Sequence, residues 1–120
     1  MRESITLSTG RTCLLENAAL PFLGHYHVLT FPADQGQPSH AETDEMMGIA
    51  TRKARDLGRE YFGDDECFSL IYNGGRTRRR PWPHIHILLS PNLSAKRFAF
   101  LAFQLKRWLR RLPNPWGRAR

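Results

Sequence analysis

Apolar positions in this chain recur with period two over short stretches and with a helical period over two longer ones. Residues 3–7 and 11–15 read as two short strands around a Ser-Thr-Gly turn at 8–10. Residues 25–31, His-Tyr-His-Val-Leu-Thr-Phe, are β-branched and aromatic and stop at Pro32, which predicts a third strand. Gly and Pro mark 33–40 as a loop. A helix follows, with Thr43 as one N-cap candidate ahead of Asp44 and Glu45, and Ser39 with Glu42 as a competing capping box. Met47, Ala50, Ala54, Leu57 and Tyr61 form its apolar stripe, and Gly58 or Gly63 ends it. Residues 67–72 and 83–89 are two further strands, joined by a basic, turn-rich loop. The last helix starts near Ser94, places Phe98, Leu101, Leu105, Trp108 and Leu112 on one face and stops at Pro113. This order predicts an α+β domain, an antiparallel sheet with helices packed on it. Residues 1–112 form a single domain in this reading, and 113–120 a loose tail.

Composition narrows the partners. A chain of 120 residues supports one core and not two. Eighteen Lys and Arg stand against 11 Asp and Glu, a formal net charge of +7 that favours anionic partners. No apolar run approaches a spanning length and the N-terminus lacks a signal-peptide core, so no membrane partner and a cytoplasmic location are expected. Cys13 and Cys67 give no disulfide framework and read as free thiols.

The chemistry concentrates in Pro-His-Ile-His-Ile-Leu-Leu, residues 83–89. On a strand, His84 and His86 share one face while Ile85, Ile87 and Leu89 point into a core. His25 and His27 form a second such pair. If the two strands are neighbours, the four rings are expected to converge. A neutral imidazole attacks phosphorus when its other nitrogen is held as N–H, and clustered imidazoles also bind transition metals. Arg76, Arg78, Arg79 and Arg80 precede His84 on the loop feeding its strand, and guanidinium groups match phosphate oxygens, which favours the first chemistry.

These residues resemble the histidine-triad (HIT) family of nucleotide hydrolases and transferases. Its motif His-φ-His-φ-His-φ-φ, preceded by a strand ending in Asn-x-Gly, is similar to His84–Leu89 preceded by Ile71-Tyr72-Asn73-Gly74-Gly75. The Gly24-His25 step into a strand ending at Pro32, and Thr43-Asp44-Glu45 at the helix start, also fit. The resemblance spans roughly residues 11–91 and implies a HIT-like antiparallel sheet with one helix after the third strand, to which this chain adds a basic C-terminal helix. It further implies a nucleotide-binding enzyme, a phosphohydrolase or nucleotidyl transferase. His86 would be its nucleophile, and the backbone carbonyl of His84 would orient that ring. Asn73 would contact phosphate, Asn17 would lie near ribose, and His25 or His27 would serve from the neighbouring strand. Arg78 and Arg80 complete the expected substrate contacts. Leu88 stands where the family has its third histidine, and Arg80-Pro81 where it has Gln-Ser/Thr.

The expected ligand is a nucleotide or another phosphate-bearing small molecule, with no metal or other cofactor; the resemblance leaves a homodimer open. Two alternatives remain. His84-Ile85-His86 is also similar to the His-hydrophobic-His motif of proteins that process single-stranded DNA with a divalent metal and a tyrosine nucleophile on a following helix, although Tyr26, Tyr61 and Tyr72 all precede it. The other alternative is a catalytically inactive HIT-like shell whose basic C-terminal helix binds nucleic acid or a partner.

Overall fold

A computed structural model describes residues 2–18, 25–75 and 82–111, with the side chains of 33, 103, 106, 107, 110 and 111 outside the description. The strands are β1 (Arg2–Thr6), β2 (Thr12–Asn17), β3 (Tyr26–Thr30), β4 (Phe68–Tyr72) and β5 (His84–Leu89). Helix α1 (His40–Phe62) separates β3 from β4, and α2 (Leu93–Arg111) follows β5. The five strands form one antiparallel sheet in the order β1-β2-β3-β5-β4. The expected α+β architecture is therefore present, with the histidine strand in the interior of the sheet rather than at an edge. The tail, 113–120, lies outside the described residues.

Local chemistry explains the element ends. Gly10 takes φ +87 between β1 and β2, a left-handed geometry that a side chain would strain. Of the two N-cap candidates, Ser39 wins: its hydroxyl accepts from Glu42 N–H, while the Glu42 carboxylate accepts from Ser39 N–H at 2.9 Å. That backbone bond, ahead of one from Thr9, holds the Glu42 carboxyl below its ordinary range. Ser8 and Thr9 hydrogen-bond Glu45 and Glu42, so the β1–β2 turn is tied to the first turn of α1. Gly63, at φ +69, is the left-handed C-cap. The helix runs through Gly58 because the returning chain crosses there: a Cβ would lie 2.6 Å from the Asp64 carbonyl oxygen.

α1 covers one face of the sheet. Met46, Ile49, Ala50 and Ala54 pack on Leu15, Leu29, Ile85, Ile87 and Leu89, with Leu57 and Tyr61 at the margin. The predicted stripe holds except at Met47, which is 41% exposed. Met46 and Ile49 face the sheet as well, so the buried arc is wider than the spacing suggested and extends to their side of the stripe. Cys13 and Cys67 are both buried free thiols.

α2 departs further from expectation. It touches the opposite face of the sheet through Ala99, Phe100 and Ala102, which pack against the cluster of Tyr26 and Leu88 that Val28 and Ile71 also flank. The stripe expected to face the core points outward, with Phe98 60% and Leu101 67% exposed. Small residues let the helix lie close to a narrow apolar patch, whereas the Phe and Leu arc is wider than that patch can cover.

Candidate functional site

Alternation along β5 sends Ile85, Ile87 and Leu89 toward α1 and leaves His84, His86 and Leu88 on the other face. Directly opposed residues of an antiparallel pair share a face. In β3, Thr30 opposes His84, Val28 opposes His86 and Tyr26 opposes Leu88. His27 opposes Ile87, so it lies on the α1 side. The four histidines therefore do not converge. The strands are neighbours as expected, but the register sets the two pairs back to back.

The α1-side pair is built into the core margin. His25 stacks on Tyr61 at 4.0 Å between ring centroids and meets Phe62 edge-on at 5.4 Å. His27 is 6% exposed, its Nε2 buried without a hydrogen-bond partner among the described residues. Burial first, then the neighbouring His25, pushes its pKa below the ordinary 6.5. Asn17 opposes His27 in the register, which places it on this same face and away from His86.

On the other face, the ring of Tyr26 reaches diagonally across the strand pair and lies near-parallel to His86, 5.6 Å between centroids. Its hydroxyl hydrogen-bonds His86 Nδ1. This is the kind of orienting contact that the resemblance assigns to the His84 backbone carbonyl. His84 lies edge-on to His86 at 4.8 Å, and its Nδ1 donates to the Trp82 carbonyl at 3.1 Å. A carbonyl only accepts, so Nδ1 of His84 carries a proton and its Nε2 holds the lone pair when the ring is neutral. His84 is buried and His86 half-buried.

This grouping can do two things. If His86 Nδ1–H donates to Tyr26, Nε2 is an unprotonated nucleophile; if Tyr26 donates, Nε2 carries the proton and serves as an acid. Asn73 follows the last residue of β4, Tyr72, which opposes Ile85, so it sits half-buried at the His84 end of this strand pair. Arg78 and Arg80 lie outside the described residues. Among the described residues no group of three or more His, Cys, Asp or Glu side chains is arranged to hold a metal.

Tyr26 is the residue that the sequence analysis missed. Alternation on β3 puts it opposite in sense to His25 and His27, and the two histidines drew attention to the wrong face. Comparison with known proteins adds nothing to this geometry: no family model, no curated protein and no solved structure matches the chain.

Proposed function

We propose that the chain is a HIT-like nucleotide-binding hydrolase or transferase that works through His86. The observation that carries the reading is the Tyr26 hydroxyl on His86 Nδ1, with His84 edge-on to that ring on the same face of the strand. Tyr26 Oη accepts from Nδ1–H, which places the lone pair of the neutral ring on Nε2. Nε2 attacks the phosphorus of a phosphate ester, amide or anhydride; the N–P bond forms as the bond to the leaving group breaks. A doubly protonated His84, its Nδ1–H held by the Trp82 carbonyl, gives its Nε2 proton to the leaving group. Water or an acceptor alcohol then attacks phosphorus, releases His86 and returns the proton. Arg78 and Arg80, on the loop entering β5, are assigned to the developing phosphate charge. Asn73, at the His84 end, is assigned a phosphate oxygen.

Leu88 supports a division of labour different from a three-histidine site. It is 2% exposed and packs with Tyr26 under α2, so this position belongs to the core and holds no proton donor. The donor role is assigned to His84, which lies edge-on to His86.

One observation favours the metal-dependent single-strand reading as a second choice: a tyrosine does lie against the histidine pair, arriving from β3 rather than from a following helix. Turnover separates the two. Adenosine phosphoramidate or dinucleoside polyphosphate should be hydrolysed without added divalent metal, and His86→Ala should abolish it. No turnover, together with Mn²⁺-dependent binding of single-stranded DNA, transfers the site to the second reading.

A further inference from the structure

α2 presents a surface that no other described element covers. Its inner residues, Ala99, Phe100 and Ala102, meet the sheet. The outer ones, Phe98, Leu101, Leu105, Trp108 and Leu109, are all more than half exposed. At 3.6 residues per turn these five occupy an arc of about 100°. They point away from the sheet face that Ala99, Phe100 and Ala102 meet. Every charged residue of the helix is a cation, Lys96, Arg97, Lys106, Arg107, Arg110 and Arg111, with no Asp or Glu among them.

We propose that α2 is an interfacial helix that docks this domain on an anionic lipid surface. Its apolar arc enters the boundary between headgroups and acyl chains, and its cations meet the lipid phosphates. Helices with Phe, Leu and Trp on one side and Lys or Arg on the other lie in the plane of such an interface. Long cationic stems reach the headgroups from positions beside the arc, as at Arg97. No helix among the described residues is long and apolar enough to cross a membrane, so the helix lies on the surface rather than spanning it.

Charge selects this occupant over the others. Two copies of α2 placed stripe to stripe would join two wholly cationic helices with no carboxylate to pair them. The stripe also extends over roughly two heptads, short of the three or four that mark a coiled-coil seam. Nucleic acid would satisfy the cations and leave the leucines in water. An anionic lipid surface satisfies both faces.

Flotation of the full chain with vesicles tests the proposal. Wild type should float with equal parts phosphatidylcholine and phosphatidylglycerol, and lose that association with phosphatidylcholine alone or at high salt. Leu101→Asp with Leu105→Asp should stay at the bottom of the gradient while keeping the wild-type circular dichroism. Trp108→Ser, a gentler change, should show a partial loss, as should Lys106→Glu with Arg107→Glu. Wild type that fails to float overturns the proposal, and so does flotation that the aspartates and the serine leave unchanged. A dimer that these substitutions dissolve, without wild-type flotation, assigns the stripe to a second copy. Salt-sensitive oligonucleotide binding without flotation assigns the helix to nucleic acid.

Discussion

Which nitrogen of His86 carries the proton decides what that ring can do, and Tyr26 is the group placed to decide it. Tyr26→Phe keeps the ring packed on Leu88 and α2 but removes the hydroxyl from Nδ1. It should lower nucleotide turnover by roughly tenfold or more, as losses of an orienting partner do, with a smaller effect on KM. Destabilisation should stay at about 1 kcal/mol, the worth of one hydrogen bond, measured by urea unfolding. His27 makes a second prediction at this scale. Folding keeps it neutral to lower pH than in the unfolded chain. The unfolded state therefore binds the proton first as pH drops below about 6.5, and stability is lost down to the folded value. The slope is at most about 1.4 kcal/mol per pH unit, and His27→Leu should flatten it in melts between neutral and mildly acidic pH. Cys13 should resist alkylation in the folded protein, because burial raises its thiol to about 11.

The elements differ in how far their residues announced them. The start of α1 was legible because a capping box is local: Ser39 and Glu42 satisfy each other's backbone whatever the rest of the chain does. Ser39→Ala should cost about 1 kcal/mol. Gly58 looked like a terminator, and its true role depends on the Asp64 carbonyl returning over it, which spacing cannot reveal. Gly58→Ala should lose roughly 1–3 kcal/mol through that overlap and regain about 1 kcal/mol in helix propensity, a net loss read by thermal melts. α2 was legible as a helix and misread in orientation. Its periodicity marked an apolar face without saying that the sheet offers only a narrow patch, which Ala99, Phe100 and Ala102 already fill.

At the scale of the molecule, the antiparallel sheet and its two helices follow from the order of period-two and helical stretches. The neighbouring positions of β3 and β5 were also anticipated. What was not legible is their register. A shift of one residue reverses every side chain, and Val28 rather than His27 opposes His86. That single fact splits the four histidines into a pair on the α1 side and a pair on the opposite face, and brings Tyr26 to the second. Of the candidate contacts on the described part of the chain, Asn17, His25 and His27 go to the α1 side, and Asn73 stays at the His84 end of the strand pair.

The account rests on His86 forming a bond to phosphorus, and mass spectrometry of the protein quenched during turnover tests that directly. Mixed with adenosine phosphoramidate and stopped at high pH, where phosphohistidines survive, the chain should carry one nucleotidyl group on the peptide containing His86. The adduct should be lost in His86→Ala and reduced in Tyr26→Phe. Substrate consumed with the peptide unmodified, or an adduct that persists in His86→Ala, contradicts the account.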